Sequence, residues 1–190
     1  MYTKDFFGAN GTNWIIWLGE LAQKPNLNFL EIGCFEGKAT VWLLEHIITD
    51  STSRITVIDT FKGSREHKIQ KLDVSTMYQN FLKNTAEFKD KITIHVGSSQ
   101  KILRTFLVGQ FDFIYIDGSH QAPDVLEDTL LAWRLLKKGG ILIWDDYDWG
   151  EQYQEREKPK VAIDAFLYIF EGKYQIISSH RQICVTKLEL

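Results

Sequence analysis

The stretch FLEIGCFEGKAT, residues 29–40, joins a short apolar strand to a helix through a turn that contains two glycines. Gly33 and Gly37 let the backbone turn sharply and approach a ligand closely. The free N–H groups at the start of the helix favour a carboxylate or a phosphate. The G-x-x-x-G spacing differs from the G-x-G-x-x-G of dinucleotide sites, which argues against NAD. A tight turn without a ligand is the alternative interpretation.

Short apolar runs alternate with longer amphipathic segments along the rest of the chain, which predicts a parallel sheet covered by helices. Strands are predicted at residues 29–33, 55–59, 92–97, 111–117, 141–144, 174–178 and 183–187, and helices near residues 38–49, 73–87, 99–107, 123–137 and 160–171. The last two strands are too close in sequence for a parallel crossover and predict an antiparallel hairpin. We therefore expect an α/β fold: a Rossmann-like three-layer sandwich around a seven-stranded, mostly parallel sheet.

A further amphipathic helix is predicted over residues 13–23, with Thr12 or Asn13 as its N-terminal cap. Its Trp14 and Trp17 are expected to pack against the sheet or against a partner subunit, so a homodimer is one expectation. No linker or repeat divides the chain. We expect one domain over residues 1–190, with a helical extension at 1–26 and the core at 27–190.

The composition excludes several classes of protein. With 22 Lys+Arg and 25 Asp+Glu the net charge is −3, which argues against a generally basic nucleic-acid binder without excluding a local basic patch. Cys34 and Cys184 are too few for a disulfide framework or a zinc cluster. No apolar run approaches the ~18 residues that span a bilayer. The first residues lack the layout of a secretory signal. We expect a cytoplasmic protein with neither membrane nor nucleic acid as partner.

Ligands of open α/β sheets bind at the carboxyl ends of the strands, where this sequence concentrates acids and glycines. Asp59 ends the second predicted strand and could accept hydrogen bonds from both hydroxyls of a ribose, or cap the next turn. Residues 97–100, Gly-Ser-Ser-Gln, follow the third strand and could contact an adenine edge. The alternative for this segment is a helix N-cap by Ser98 or Ser99.

Three carboxylates are expected near each other at the ends of the fourth and fifth strands. Asp117, Asp145 and Asp146 would repel one another and would be costly to bury unpaired. A divalent cation relieves that cost, and oxygen ligands suit Mg²⁺, Ca²⁺ or Mn²⁺. Helix capping or solvation of these acids is the alternative.

His120 lies just past the fourth strand and suits a general base that takes a proton from a substrate hydroxyl. A structural role is the alternative for this histidine.

These motifs, taken in order, resemble the class I S-adenosylmethionine-dependent methyltransferases over about residues 27–187. Residues 117–120 (DGSH), 135–140 (LLKKGG) and the pair 145–146 (DD) resemble the small-molecule O-methyltransferases, those of macrolide sugars more than those of catechols. The resemblance implies S-adenosylmethionine as cofactor, bound by Glu31, Gly33, Phe35, Gly37, Thr40, Asp59, Thr60, Gly97, Ser98, Ser99, Gln100 and Asp117. It also implies catalysis by His120 and Asp117, with Asp117, Asp145 and Asp146 as ligands of a cation, Mg²⁺ being the expected ion.

The resemblance implies methylation of a hydroxyl on a small molecule such as a sugar, a natural product or a catechol-like compound. A hydroxylase or a non-catalytic cofactor-binding relative is the alternative. Methyltransferases of base amino groups commonly carry a D/N-P-P-aromatic motif after the fourth strand, and this chain has DGSH there instead. Two segments, residues 61–71 and 147–158, are candidate lids, and Trp149 and Tyr153 favour substrate contact by the second.

Overall fold

A computed structural model of the chain describes residues 2–69, 71–150 and 153–188. The strands are β1 Asn28–Ile32, β2 Arg54–Asp59, β3 Ile92–Val96, β4 Phe111–Ile116, β5 Leu136–Trp144, β6 Tyr174–Ser179 and β7 Ile183–Lys187. The α-helices are α1 Asn10–Leu18, α2 Lys38–His46, α3 Arg65–Ile69, α4 Met77–Asn84, α5 Ser99–Ile102, α6 Ala122–Leu135 and α7 Pro159–Ile169. Short 3₁₀ turns are Gly19–Leu21, Ala86–Lys91, Leu103–Thr105 and Glu155–Glu157.

All seven strands form one sheet in the order β3-β2-β1-β4-β5-β7-β6. Strands β1 to β5 run parallel, and β7 pairs antiparallel with both β5 and β6. This confirms the predicted Rossmann-like α/β fold and its C-terminal hairpin. The strand order reverses between β1 and β4, so the crevice for a ligand lies at their carboxyl ends.

Helices cover both faces of the sheet, which explains why the central strands are apolar along their whole length. On one face α6 and α7 pack against β4 and β5 through Trp133, Trp144 and Phe166. On the other face α1 and α2 pack against β1 and β4 through Trp14 and Phe29. None of the helices in the described part of the chain combines the length and the apolar composition needed to cross a bilayer.

The N-terminal helix begins earlier than predicted and uses neither predicted cap. Helix α1 starts at Asn10 after Ala9, without a side-chain hydrogen bond at its cap. Gly11 lies in the first turn of this helix, where its missing side chain admits the Trp42 ring: a Cβ atom there would lie 2.6 Å from Trp42 Nε1. Trp14 is fully buried against the sheet, one of its two predicted environments.

Strand β5 also begins earlier than predicted, at Leu136 rather than at residue 141. Residues 136–140, of which 136 and 137 were predicted to end a helix, belong to an irregular first part of the strand. The register between β5 and β4 changes between the pair Leu136–Phe111 and the pair Ile141–Phe113. Gly139, which lies between these pairs, has a φ of +76°. A bulge of this kind accommodates residues that the regular ladder would exclude, which periodicity alone does not predict.

Candidate active site

An open cavity of about 930 Å³ lies at the carboxyl ends of β1 to β5, within the size range of small-molecule sites. Part of its wall comes from residues 4–10 and from the turn before β7. The cavity is lined by these predicted site residues: Glu31, Gly33, Phe35, Asp59, Thr60, Gly97, Ser98, Ser99, Gln100, Asp117, His120, Asp145 and Asp146. The fold therefore brings most of the predicted residues to one place.

Two predicted residues, Gly37 and Thr40, lie behind the cavity wall. Gly37 has a φ of +83°, and a Cβ atom there would lie 2.9 Å from the Phe81 ring, so this glycine faces α4. Thr40 is buried and donates its hydroxyl to Glu31 Oε2 at 2.5 Å. Burial raises the pKa of Glu31 to about 8, and the hydrogen bond from Thr40 opposes the rise. Thr40 thus contacts the cavity only through Glu31.

Gly33 is the point of closest approach between the ends of β1 and β4. Its φ is +82°, and a Cβ atom there would lie 2.0 Å from the carbonyl oxygen of Asp117. The Gly33 N–H donates to Ile58 O at 2.8 Å, and the Asp117 N–H donates to Ile32 O at 2.8 Å. A residue without a side chain is therefore required where three strand ends meet.

The Asp59 carboxylate organises the two loops beside the cavity. Its Oδ2 atom accepts the backbone N–H groups of Cys34 at 2.9 Å and Phe35 at 3.0 Å. Its Oδ1 atom accepts the N–H of Phe61 at 2.7 Å, so the turn-capping interpretation is observed. An ionised carboxylate has about four acceptor positions. Backbone N–H groups of the described residues use three of them, and the Cys34 thiol also contacts this carboxylate.

A buried acid that the sequence reasoning missed supports the Ser98–Gln100 segment. Asp128 is 2% exposed, and its Oδ2 atom accepts the Ser99 hydroxyl at 3.0 Å. Its Oδ1 atom has no hydrogen-bond partner among the described residues. Burial raises the pKa of Asp128 to about 7, although the Ser99 hydrogen bond lowers it. An acid on the apolar face of α6 was the signal that could have revealed it.

We expect Asp128→Asn to reduce the pH dependence of stability. The pKa of Asp128 rises from 3.8 to about 7 on folding, so the native state binds this proton more tightly than the unfolded state does. Its contribution to the free energy of unfolding is complete below about pH 4 and is lost towards pH 7. Melting temperatures between pH 4 and 8 should fall less in the variant than in the wild type. Equal dependence of the melting temperature on pH in the two proteins would contradict the prediction. Ser99→Ala removes the hydrogen bond that lowers the pKa of Asp128, so the fall in melting temperature should move to higher pH.

Asp117, His120 and Asp146 form a cluster whose ligand atoms lie within 4.8 Å of one another. His120 Nε2 lies 2.8 Å from Asp146 Oδ2 and 3.9 Å from Asp117 Oδ1. Burial lowers the pKa of His120, but the neighbouring Asp117 and Asp146 carboxyl groups outweigh this effect and raise the pKa to about 10. The two neighbouring acids therefore favour the protonated form of His120.

Asp145, the third predicted carboxylate, is turned towards the protein. The Tyr115 hydroxyl contacts Asp145 Oδ2 and lies 3.0 Å from Asp117 Oδ2. Gln182 Nε2 donates to the same Asp145 oxygen at 3.0 Å. Burial raises the pKa of Asp117 and of Asp145, and their mutual repulsion adds to the rise at Asp117. Tyr115 looked like an ordinary strand residue and Gln182 like a turn residue, so the sequence carried no signal for either.

The two candidate lid segments meet beside the acid cluster. The Trp149 ring lies 4.6 Å from the His120 ring and stacks on Tyr153 at 5.2 Å. Arg65, on α3, lies 4.8 Å from the centre of the Tyr153 ring. Aromatic rings and a guanidinium group therefore border the side of the cavity where His120 lies.

The other end of the cavity is covered by the N-terminal segment. Phe35 stacks on His67 with ring centres 5.3 Å apart, and Phe6 packs edge-on against Phe35 at 5.0 Å. Thr3 donates to both oxygens of the buried Glu36 carboxylate, at 2.6 and 2.9 Å. The first residues are thus fastened across the turn that follows β1.

Comparisons with known proteins agree with this geometry. Residues 30–147 match the family model described as "Methyltransferase domain". Uncharacterized protein R132 of Acanthamoeba polyphaga mimivirus is 28% identical over 171 residues, 83% of this chain and 67% of that protein. Cofactor-bound Rv0187 from MTB aligns with a TM-score of 0.70 at 16% identity, over 100% of this chain and 84% of its own. The O-methyltransferase from Bacillus cereus in complex with SAH aligns with a TM-score of 0.66 at 19% identity, over 98% and 84%.

Proposed function

The chain belongs to the methyltransferase-domain family, and from this premise we propose that it transfers a methyl group from S-adenosylmethionine to a hydroxyl oxygen of a small molecule, with a divalent cation assisting. The observation that carries the proposal is the cluster of Asp117, His120 and Asp146 on the wall of the same cavity as Asp59 and Gly33. This arrangement supports the proposal, because it would put a group that can accept a proton beside the methyl donor.

The chemistry of the cavity wall suits this cofactor. S-adenosylmethionine carries a positive sulfonium and an ammonium group, and Glu31 and Asp117 offer acidic groups on the wall. Asp59 lines the cavity and would accept a ribose hydroxyl, and Ser98 and Gln100 offer polar groups for adenine. Solved structures with the same fold contain a cofactor, in Rv0187, and SAH, in the B. cereus enzyme.

The acid cluster suits a divalent cation held by Asp117 and Asp146. Mg²⁺ is usually bound through one or two carboxylates together with water and substrate oxygens, which matches two acids lining an open cavity. His120 Nε2 lies between these acids, so a bound cation would compete with the protonated imidazole for them and would favour the neutral form of His120. When bound, the cation would lower the pKa of a substrate hydroxyl that coordinates it.

The residues of the chain would align the reactants and accept the proton. The substrate oxygen attacks the methyl carbon in line, the O–C bond forms, the S–C bond breaks, and neutral S-adenosylhomocysteine leaves. His120 Nε2, once deprotonated, accepts the hydroxyl proton and releases it to solvent. Alignment by the strand-end loops supplies much of the rate enhancement. Trp149 limits the access of water to His120.

We expect Asp59→Ala to weaken S-adenosylhomocysteine binding at least about tenfold, because a charge-assisted hydrogen bond contributes about 1.5–3 kcal/mol. Isothermal titration calorimetry measures the affinity. Asp112→Ala is the matched control, since Asp112 also accepts a backbone N–H, from Asn28 at 2.8 Å, but does not line the cavity. Unchanged affinity in Asp59→Ala, or an equal loss in both variants, would contradict the ribose-binding role.

The activity itself is tested by product mass. The protein is incubated with S-adenosylmethionine, Mg²⁺ or Mn²⁺, and a panel of sugars and catechols that carry neighbouring hydroxyl groups. A mass gain of about 14 Da on the acceptor, lost on adding a chelator, is the expected result. A gain of about 16 Da would indicate hydroxylation instead. Turnover that the chelator does not change would contradict the role of the cation.

A further inference from the structure

Both oxygens of Asp145 accept hydrogen bonds from donors of the protein. Its Oδ2 atom accepts from the Tyr115 hydroxyl, from Gln182 Nε2 at 3.0 Å and from Asn10 Nδ2 at 3.4 Å. Its Oδ1 atom accepts the backbone N–H of Asp146 at 2.8 Å. Each carboxylate oxygen has about two acceptor positions, so Oδ2 has none left for a cation. Oδ1 is bound to the Asp146 N–H, and Asp145 lies outside the group formed by Asp117, His120 and Asp146.

Asp146 has a backbone conformation that its predecessor stabilises. Its φ is +56°, in the left-handed region that a residue with a side chain seldom adopts. The hydrogen bond from its N–H to Asp145 Oδ1 holds the backbone there. In this conformation Asp146 Oδ2 lies 2.8 Å from His120 Nε2. The Asp145 side chain therefore fixes the turn that brings Asp146 into the cluster.

The anchors of Asp145 are themselves buried and reach the N-terminal helix. Gln182 is 3% exposed, and its Oε1 atom accepts the Trp14 Nε1–H at 2.8 Å. The Trp14 ring packs edge-on against Tyr115, with centres 4.7 Å apart. Releasing Asp145 would leave buried polar groups unpaired, which is unfavourable. The Asp145 carboxylate is thus held by residues of helix α1, of strand β4 and of the turn before β7.

We propose that Asp145 is a positioning residue, anchored by Tyr115 and Gln182, that holds Asp146 against His120 and gives no oxygen to the cation. The inference rests on the proposed function for its cation, and it assigns a role to Tyr115 and Gln182. The competing interpretation makes Asp145 a ligand that leaves its anchors when the cation binds. The two interpretations predict opposite effects of weakening the anchors.

The first test is Mn²⁺ binding to the full chain, followed by electron paramagnetic resonance. Tyr115→Phe removes one anchor and keeps the ring. We expect Mn²⁺ affinity to fall about tenfold or more, since partners that orient metal ligands typically contribute 10–100-fold. If Asp145 were a ligand restrained by Tyr115, the variant would bind Mn²⁺ as tightly as the wild type or more tightly. That result would overturn the proposal.

Two substitutions of Asp145 separate positioning from ligation. Asp145→Asn keeps a carbonyl oxygen that can accept the Asp146 N–H, while its amide nitrogen faces the former anchors, so its Mn²⁺ affinity should fall about tenfold, as in Tyr115→Phe. Asp145→Ala removes the acceptor and should lower the affinity about 100-fold. Asp124→Ala, which removes a carboxylate of the same cavity outside the cluster, should change nothing. Equal losses in the Asn and Ala variants would overturn the proposal.

Crystal structures without added metal give a readout that does not depend on the cation. Asp146 should leave the left-handed region in Asp145→Ala and remain there in Asp145→Asn. A left-handed Asp146 in the Ala variant would overturn the proposal. If the wild type binds no Mn²⁺, the cation of the proposed function fails, and the conformation of Asp146 still decides whether Asp145 positions it.

Discussion

Replacing Gly33 with alanine should abolish measurable binding of S-adenosylhomocysteine and strongly destabilise the protein. The new Cβ atom would lie 2.0 Å from the carbonyl oxygen of Asp117, a backbone atom that no side-chain rotation can move away. The φ of +82° adds about 1–2 kcal/mol of strain for a residue with a side chain. Overpacking typically adds about 1–3 kcal/mol. We expect the free energy of unfolding to fall by about 3 kcal/mol or more, measured by urea denaturation.

Gly172→Ala is the matched control for this prediction. Gly172 has a nearly equal φ of +81°, yet a Cβ atom there would meet nothing within 4 Å. The free energy of unfolding of the control should therefore fall only by the cost of backbone strain, and its affinity for S-adenosylhomocysteine should not change. If the two variants lost equal stability and bound equally well, the close approach of β1 to β4 would not be essential.

Replacing His120 with alanine should lower kcat by about 10²–10⁴-fold, the range expected for removing a general acid–base group. His120 Nε2 lies 2.8 Å from Asp146 and 3.9 Å from Asp117, so no other imidazole of the described chain shares its position between two cavity acids. The affinity for S-adenosylhomocysteine should change less than about threefold, because Asp59 and the adenine segment are untouched. Steady-state kinetics and calorimetry measure the two effects separately.

His180→Ala provides the comparison, since His180 lines the same cavity but lies outside the acid cluster. It should retain kcat within about threefold of the wild type. Normal turnover by His120→Ala would assign proton removal to another group or to water. An equal fall in both variants would indicate a general disturbance of the cavity rather than the loss of a base.

The order of elements was predictable because burial imposes a local pattern on each element. Strands β1, β2 and β4 lie within one residue of their predicted bounds, and the alternation with helices fixed the parallel topology. The irregular start of β5 and the early start of α1 were not predictable. Both elements contact distant residues at these points, Phe111 for β5 and Trp42 for α1.

For the predicted site, too, the sequence indicated some features and not others. Carboxyl ends of parallel strands share one edge of the sheet, so sequence position alone indicated that Asp59, Asp117 and His120 would meet in one cavity. It did not indicate that Gly37 faces α4 or that Thr40 acts through Glu31. The direction of a side chain at a strand end depends on loop dihedral angles, which a strand pattern does not specify.

The sequence by itself determined the sheet, the edge that carries the ligand site and the family to which the chain belongs. Only the tertiary structure decided which acids form the cluster. Asp145 accepts a hydrogen bond from Gln182, which lies 37 residues away in the sequence. Gln182 in turn accepts a hydrogen bond from Trp14, which lies 168 residues from it. The physical reason is that a hydrogen bond needs its donor within about 3 Å and in line, and only the folded chain sets that geometry between distant residues.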